Sequence, residues 1–494
     1  MNAASMAAQP KPLVWGLTLI ATLGGLLFGY DTAVISGAVS SIDVYFIDPL
    51  GLSETARSTL SGFTISSALF GCIIGGAAAG WLSDRYGRKP ALLLAAVMFL
   101  ISAIGSAVPE LGLGVIGSMG PDALVPFIIY RIIGGVGVGL ASMASPLYIA
   151  EIAPKESRGQ LVSLNQIAIV TGMVGVYFVN WMIAGQGDEE WLHAIGWRWM
   201  FASEALPCLL FALLLLKAPD TPRWLVMQRR DKEALTILNR LGEARPEATL
   251  GEIKESLIVR NEPLFAYGIA VVVVGILLSV FQQFVGINAV LYYAPVIFQN
   301  MGASTDTALL QTVIVGIANV AFTLVATFKV DHWGRKPLMF WGATVMAVSM
   351  FSLGTLFATH QMGLWALIAM LAYIAGFAFS WGPVVWILLS EIFPNAIKGR
   401  AMAIAVAAQW IANLAVSWSF KVLDENSVLN ALFSHGFAYW VYGSMSVLAA
   451  LFVWRWVPET KGRSLEAIQG LWGRKLLTGD TRIELAAAEP PVGK

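Results

Sequence analysis

Charged residues are scarce in this sequence. Asp, Glu, Lys and Arg make up 13% of the 494 residues, whereas an ordinary soluble domain carries about 25%. Hydrophobic residues make up 57%, and the mean hydropathy is +0.71. The 31 basic and 31 acidic residues cancel, so the net charge offers no attraction to nucleic acid. This composition excludes a soluble protein and indicates a polytopic membrane protein.

Cysteine and histidine are also rare. The two cysteines, Cys72 and Cys208, both lie in apolar runs and define neither a disulfide framework nor a metal site. The four histidines are scattered singly, which argues against a bound metal. The sequence shows no nucleophile and base pair and no phosphate loop, so we predict no enzymatic activity and no cofactor. The glycine-rich run at 134–142 lies in an apolar segment and follows no strand, so it predicts close helix packing.

Long apolar runs, in contrast, are plentiful and predict twelve membrane-spanning helices in two sets of six. They lie near 13–38, 58–82, 90–108, 124–150, 160–184 and 198–218, and then near 265–299, 307–329, 337–359, 363–390, 400–420 and 436–456. Three of these runs are longer than a bilayer requires and contain Gly and Pro, which predicts tilt or local breaks: 124–150, 265–299 and 363–390. The first run exceeds the apolar core of a cleaved signal peptide, so we predict a retained helix.

The distribution of Lys and Arg predicts the orientation. Loops after even-numbered helices hold most of these residues, including Arg85, Arg158 and Arg335, whereas the opposite loops hold almost none beyond Arg57 and Lys421. The positive-inside rule then places both termini in the cytoplasm of a multi-pass protein of the cell's inner (plasma) membrane.

The two halves repeat in sequence. Three motifs recur in the same order: DRYGRKP at 84–90 with DHWGRKP at 331–337, EIAPKESRG from Glu151 with EIFPNAIKGR from Glu391, and PDTPR from Pro219 with PETKG from Pro458. The three pairs share a spacing of roughly 240 residues, which indicates duplication of a six-helix unit.

This repeat predicts the domain organisation of an all-α membrane protein. We expect a cytoplasmic tail at 1–12, an N-terminal six-helix bundle at 13–218, and a cytoplasmic helical linker at 219–262. A C-terminal six-helix bundle at 263–457 and a cytoplasmic tail at 458–494 complete the chain.

Three charged residues fall within the predicted spans at similar depth. By helical rise, Asp31 lies about 12 Å below the outer surface, and Arg131 and Glu204 lie about 10 Å below it. Charged groups inside a membrane usually face the bundle interior and pair with one another. One Arg does not neutralise two carboxylates, which predicts a loosely held proton and a switch: ionised Asp31 holds Arg131, and protonated Asp31 releases it. Glu204 is then a second polar anchor, and the alternative is a static ion pair.

Uncharged amides alternate with tryptophan at middle depth in several predicted helices. Such residues serve either to join helices by hydrogen bonds or to line a polar, aromatic cavity of the kind that an uncharged sugar needs. They include Asn165, Gln166, Gln282, Gln283, Asn288, Asn319, Trp381, Trp386, Gln409 and Trp410. Their number favours the cavity.

The motifs together resemble the sugar porter branch of the major facilitator superfamily. The resemblance rests on the three repeated motifs, QQFVGINAVLYYAP at 282–295 and SWGPVVWILLSEIFP at 380–394, and covers the chain from Leu13 to about Trp472. Finer detail such as FGYDTAVISG resembles bacterial D-xylose/proton symporters. This resemblance implies two six-helix bundles around a central sugar site with alternating access, and it implies that Asp31 couples proton and sugar movement.

The resemblance also implies individual roles for site residues. Those expected to contact sugar are Gln166, Gln282, Gln283, Asn288, Trp386, Gln409 and Trp410, and those expected to line or gate the site are Phe28, Met173, Tyr292, Asn319 and Gly382. Met173 is a departure, because xylose symporters of this type carry a second amide there, which leaves the sugar preference open. The charged residues at inner helix ends serve either to orient the chain by positive charge alone or to form a latch of salt bridges between the bundles, and the acids that recur at matching places in both halves favour the latch. These residues are Arg85, Glu151, Arg158, Arg335, Glu391 and Arg400.

The function predicted from the sequence is import of a monosaccharide, D-xylose foremost, together with a proton. The expected partners are the sugar, the proton and the lipid bilayer, and we expect a monomer. Two alternatives stay open within transport: a proton-independent sugar facilitator, and a symporter for another pentose or hexose. A sugar sensor is a third alternative, but sensors usually carry longer cytoplasmic extensions than this chain has.

Overall fold

A computed structural model describes residues 12–154, 157–257, 262–394 and 397–461. Within these ranges the chain forms helices and turns, and no strand. Six membrane-spanning helices precede the linker: α1 (Pro12–Gly37), α2 (Glu54–Tyr86), α3 (Arg88–Ala107), α4 (Gly120–Ile152), α5 (Arg158–Ala184) and α6 (Glu189–Lys217). Six follow it: α7 (Ile269–Tyr292), α8 (Thr305–Val330), α9 (Arg335–Ala358), α10 (Leu364–Ile392), α11 (Lys398–Asp424) and α12 (Phe437–Trp456). The predicted fold class is confirmed, and the predicted terminal tails lie mostly outside the described residues.

Shorter helices connect the spans. A π-helical turn (Asp43–Ile47) follows α1, and the short helices Ala294–Asn300 and Ser427–Phe433 follow α7 and α11. The linker between the halves forms three helices: Pro222–Met227, Asp231–Leu241 and Pro246–Ser256. Trp224, Leu225 and Ala234 form a small hydrophobic core of their own, which gives the linker helices their shape without support from the bilayer.

Several spans extend beyond their apolar runs. The structure begins α2 at Glu54 and ends it at Tyr86, several residues beyond the predicted 58–82 at each end. A helix satisfies its own backbone hydrogen bonds, so it continues into the aqueous phase where side-chain hydropathy no longer marks it. The predicted run 265–299 is shorter as a span, because the chain breaks after Tyr292 and begins a new helix at Ala294.

Two of the three long runs contain helix breaks. The seventh span is interrupted after Phe284, where Gly286 has a φ of +94°, a conformation that a residue without a side chain adopts freely. The tenth span is interrupted at Ser380. The run at 124–150 differs, because α4 continues through Pro146 without a break. The two breaks free backbone groups near the centre of the protein, where side chains can bind them.

The two ends of the bundle differ in their contacts. We call the end with the Arg-rich repeated loops the inner side and the opposite end the outer side, following the distribution of Lys and Arg. The hydrogen bonds between the six-helix halves whose two partners are both described lie in the middle or on the outer side. Examples are Tyr177 with the Leu291 carbonyl oxygen at 3.0 Å and Trp181 with Asp306 at 3.0 Å. The structure is therefore closed toward the outer side.

Helices α2 and α4 pack along a seam of small residues. An added Cβ would lie 1.7 Å from the Ala68 carbonyl oxygen at Gly135 and 2.0 Å from the Ile132 carbonyl oxygen at Gly71. Backbone atoms cannot turn aside as a flexible side chain can, so these positions require glycine. The glycine-rich run at 134–142 thus serves helix packing, as the sequence indicates.

We expect Gly135→Ala to lower the free energy of unfolding by about 1–3 kcal/mol or more, because overpacking a core usually costs about that much. The matched control is Gly175→Ala on α5, because an added Cβ there meets nothing within 4 Å. The measurement is thermal unfolding of the two purified variants in the same detergent. Equal melting temperatures for the two variants would contradict the packing argument.

A buried ion pair ties the outer ends of the N-terminal half together. Arg198 donates to both carboxyl oxygens of Glu110, at 2.7 and 2.8 Å, and Tyr45 donates to the same carboxyl at 3.1 Å. The guanidinium packs over Trp197, with 4.5 Å between its carbon and the ring centre. Burial acts to raise the pKa of Glu110, but the hydrogen bonds from Arg198 outweigh it and hold this pKa below its usual value. This pair lies within one half and does not cross to the other.

Candidate functional site

Asp31 and Arg131 form an ion pair at the contact of α1 and α4. Arg131 Nη1 donates to Asp31 Oδ1 at 2.9 Å, and Nη2 donates to the Asp31 backbone oxygen at 3.0 Å. Asp31 is fully buried and Arg131 is 1% exposed. Two charges removed from water need such short hydrogen bonds to offset the loss of hydration. The structure thus joins the two residues that the depth argument from the sequence places together.

Glu204 lies beside this pair, at the point where α6 breaks between Ala202 and Ala205. Its buried carboxyl group faces the same ion pair, close to the carboxyl group of Asp31. Asp31 Oδ2 and Glu204 Oε2 have no hydrogen-bond partner within the part of the chain that the structure describes. Two buried acids beside one base leave one negative charge without a cation, which favours a proton on one of the two carboxyl groups. One cation, two acids and one proton make the buried triad neutral.

Three neighbouring residues that the sequence analysis does not identify surround Asp31 and Arg131: Ser102, Gly134 and Phe201. Ser102 on α3 lies on the same side of α4 as Asp31: a Cβ at Gly134 would lie 3.0 Å from Asp31 Oδ1 and 2.3 Å from Ser102 Oγ. The Arg131 guanidinium lies 5.4 Å from the ring centre of Phe201. Gly134 therefore provides the space that the carboxylate occupies. The glycine-rich run is the only sequence signal for it, and that signal indicates packing in general.

Amide side chains of α7 form a continuous hydrogen-bonded chain. Asn288 donates to Gln283 at 2.7 Å, Gln283 donates to Gln282 at 3.4 Å, and Gln282 donates to the Trp381 backbone oxygen at 2.9 Å. Gln282 also reaches the Gly382 oxygen at 3.3 Å. These backbone oxygens lie in the first turn of the helix that follows the break in α10, and each carbonyl oxygen has a second lone pair that can accept from an amide. Trp381 itself is buried, and its indole donates to the Met339 oxygen at 2.9 Å.

Two predicted sugar contacts on α11 have free hydrogen-bonding atoms. Gln409 Oε1 and Trp410 Nε1 are buried and have no partner within the described part of the chain. Such atoms in a buried site are costly unless something else binds them, and a hydroxylated ligand supplies both donors and acceptors. Trp410 also contacts Phe28 of α1, with 5.6 Å between the ring centres. This aromatic contact bridges the two halves in the middle of the protein.

The remaining predicted site residues are distributed around this centre. Met173, Tyr292 and Asn319 are buried, whereas Gln166 and Trp386 are half-buried and take no part in the amide chain of α7. The arrangement offers neutral donors and acceptors beside aromatic faces. It suits a polar, uncharged ligand rather than a metal ion, and the part of the chain that the structure describes contains no cluster of metal-binding side chains.

The charged residues at the inner helix ends pair within each half. Arg88 donates to Glu151 at 2.9 Å in the N-terminal half, and Arg335 donates to Glu391 at 3.0 Å in the C-terminal half. Arg85 and Arg158 are exposed, and Arg400 donates to the backbone oxygen of Glu262. A latch between the halves formed by these residues stays a prediction, which a structure closed on the inner side would test.

Two threonines in the repeated PDTPR and PETKG motifs complete these inner pairs. Thr221 donates to Glu151 at 2.5 Å, and Thr460 donates to Glu391 at 2.6 Å. The preceding acids also repeat: Asp220 accepts from the Arg88 backbone nitrogen, and the corresponding acid of PETKG accepts from that of Arg335, both at 3.1 Å. The sequence shows these motifs as a repeat but does not reveal the roles of the threonines.

Two six-helix halves that enclose buried charges and neutral amides define a membrane transporter of small polar molecules. The chain belongs to the sugar (and other) transporter family, whose family model matches residues 17–472. It is 56% identical over 472 residues to the D-xylose-proton symporter of Escherichia coli, with 93% of this chain and 96% of the relative covered. It is 48% identical to the glucose facilitated diffusion protein of Zymomonas mobilis, with 93% and 98% covered.

The solved structures agree with this family. The inward open conformation of the xylose transporter XylE from E. coli matches with a TM-score of 0.84 and 53% identity, covering 93% of this chain and all of that one. The same symporter bound to 6-bromo-6-deoxy-D-glucose matches with a TM-score of 0.80 and 55% identity, covering 93% and 99%. The expected resemblance to the sugar porters is thereby confirmed.

Proposed function

We propose that this protein imports D-xylose together with a proton across the inner membrane by alternating access. The observation that carries the proposal is the buried triad of Asp31, Arg131 and Glu204, which holds two acids against one base. A proton-independent transporter has no need for a second carboxyl group in the bilayer, where ionisable groups are expensive. The similarity to the D-xylose-proton symporter of E. coli supports the choice of sugar and of co-transported ion.

The proposed cycle couples the triad to the movement of the two halves. When both carboxyl groups, those of Asp31 and Glu204, are protonated, the ion pair between Asp31 and Arg131 weakens. The contact between α1 and α4 can then rearrange. A sugar that binds Gln282, Gln283, Gln409 and Trp410 contacts both α7 and α11 of the C-terminal half, and Phe28 reaches it from the other half. Both ligands then favour one arrangement of the halves through differential contacts.

We propose further that both termini lie in the cytoplasm and that the protein acts as a monomer. The orientation is supported by the excess of Lys and Arg on the inner side. Two six-helix halves in one chain supply a complete central site, so a second copy is not required to form it. The partners are then a monosaccharide, the proton and the bilayer.

A proton-independent facilitator is the second candidate. It is favoured by the 48% identity to the glucose facilitated diffusion protein of Z. mobilis. The test is a pH-electrode trace on lightly buffered, de-energised cells that express the protein, with D-xylose, D-glucose and L-arabinose added in turn. Symport predicts external alkalinisation on addition of the transported sugar. A flat trace despite uptake of labelled sugar would establish facilitated diffusion instead.

Met173 is the position at which we expect the sugar preference to be adjustable. It is buried, and its thioether offers no hydrogen-bond donor. We expect Met173→Gln to tighten D-xylose binding about fivefold, the effect of one net hydrogen bond of about 1 kcal/mol. The control, Met173→Leu, keeps the volume and adds no donor, so its affinity should stay close to that of the parent. Equal affinities of the Gln and Leu variants in a binding assay would remove Met173 from the site.

A further inference from the structure

Five charged side chains join the two halves at the outer side. We call Asp43, Asp48, Arg57, Lys421 and Glu425 the outer charge cluster. Asp43 and Asp48 follow α1, Arg57 lies in the first turn of α2, and Lys421 and Glu425 lie at the outer end of α11. The cluster therefore combines residues that are nearly 380 positions apart in the sequence.

The centre of the cluster is a buried ion pair. Lys421 Nζ lies 2.8 Å from Asp43 Oδ2 and 2.7 Å from Glu425 Oε1. The other Asp43 oxygen accepts from Ser61 Oγ at 2.5 Å. Lys421 is 3% exposed and Asp43 is 5% exposed. Separating an ion pair that is excluded from water costs much free energy, because it would leave two buried charges without a partner.

A second, more exposed layer surrounds this pair. Arg57 donates to Glu425 at 2.9 Å across the halves and to Asp48 at 2.6 Å within its own half. About a third of the Arg57 side chain is exposed, so solvent screens these contacts more strongly than the buried pair. The cluster thus has a strong buried contact and a weaker exposed one.

Further contacts between α2 and α11 follow the same interface. Trp418 donates from its indole to the Thr59 oxygen at 2.9 Å, and its ring lies 5.2 Å from that of Phe63. Glu54 accepts from the Ser427 backbone nitrogen at 2.5 Å. These contacts join the outer ends of the two helices. The outer charge cluster lies next to them, on the side that faces the end of α1.

We propose that the Asp43–Lys421 pair is a latch that closes the outer side and opens once in every transport cycle. The inference rests on alternating access in the proposed function, because outward opening separates α2 from α11 and so separates Asp43 from Lys421. Separation at this place opens an aqueous vestibule, which rehydrates both charges as the distance grows. A charged latch can therefore release, whereas apolar surfaces would be exposed to water at a cost that grows with their area.

The Glu110–Arg198 pair is a matched control within the same protein. It is buried, lies on the same side of the membrane and has similar hydrogen-bond lengths, but both residues belong to the N-terminal half. Loss of its charges affects the stability of that half without changing the contact between the halves. Any effect that is specific to the latch must therefore appear with the Asp43–Lys421 pair alone.

The test uses pulsed electron paramagnetic resonance to measure the distance between two spin labels on the full chain without sugar. The background carries Cys72→Ala and Cys208→Ala. The outer pair of labels is placed by Ser53→Cys and Val428→Cys, and the inner pair, in a separate protein, by Gln160→Cys and Ala403→Cys. All four label positions are exposed. The latch variant is Asp43→Asn with Lys421→Met, which removes both charges of the buried pair together and leaves Glu425 paired with Arg57.

We expect the latch variant to raise the population with a long outer distance about tenfold, which corresponds to about 1.4 kcal/mol, and to shorten the inner distance. Arg57→Gln removes only the exposed layer, is expected to fold normally, and should raise the same population about twofold. Glu110→Gln with Arg198→Met should leave both distances unchanged.

Unchanged outer distances in both the latch variant and Arg57→Gln would overturn the proposal. An equal shift in the Glu110/Arg198 control would also overturn it, because general loosening would then explain the result. Neither outcome depends on sugar or proton, so failure of the latch is distinguishable from failure of the proposed symport. The pH-electrode trace tests the latter independently.

Discussion

Replacing Asp31 by Asn is expected to abolish uphill accumulation of sugar while sugar exchange continues. The Asn side chain keeps the size of Asp and can still accept from Arg131, but it carries no titratable proton. One proton that moves through about 100 mV supplies about 2.3 kcal/mol, which supports up to about 50-fold accumulation. In the variant the accumulation ratio should fall to about 1, because sugar then equilibrates without an energy source.

The measurement compares accumulation of labelled D-xylose in energised cells with exchange across proteoliposomes at equal sugar concentration. Arg198→Lys is the control, since it changes a buried basic residue of the same half that lies outside the triad. Normal accumulation by the Asn variant would show that the proton is carried elsewhere. Loss of both accumulation and exchange would indicate a structural ion pair, the alternative that the sequence leaves open.

Replacing Gln283 by Ala is expected to weaken sugar binding by about 5- to 150-fold, the effect of about 1–3 kcal/mol from a lost buried hydrogen-bonding group. Gln283 occupies the middle of the amide chain, between Asn288 and Gln282. Its loss removes a contact and also frees both neighbours to reorient. The expected effect therefore exceeds that of an isolated amide.

Binding of D-xylose to purified protein by calorimetry checks this expectation. Gln186→Ala is the matched control, because Gln186 is an exposed amide at the outer end of α5. The two variants should differ strongly in sugar affinity, whereas their melting temperatures should be similar. If both bind sugar as the parent does, the amide chain serves helix association and the site lies elsewhere.

Most of the fold could be predicted from the sequence because membrane spans are determined by a single dominant property. Apolar runs of sufficient length give the twelve helices, and the repeated motifs give the two halves. The breaks in α7 and α10 could be anticipated only as a tendency, from Gly and Pro in long runs. The positions of the breaks depend on contacts between neighbouring helices, which exist only in the folded protein.

The site was predictable to different degrees for different residues. Asp31 and Arg131 could be paired in advance, because depth in a bilayer is a one-dimensional quantity that helix length determines. The order of the amide chain from Asn288 to Trp381 could not, because it depends on rotation and tilt of two helices. Lys421 illustrates the limit most clearly: in the sequence it is an exception to the positive-inside pattern, and only the fold shows that Asp43 accounts for it.

The glycine seam between α2 and α4 has a mechanical consequence. Helices in backbone contact over several turns cannot slide past each other, so α2 and α4 form a stiff pair within the N-terminal half. The C-terminal half differs, because two of its spans, α7 and α10, are interrupted beside the amide chain, and an apolar groove runs along its surface between α8, α9 and α10. We therefore expect the two copies of one six-helix unit to differ in stiffness, with more of the bending during the proposed transport cycle in the C-terminal half.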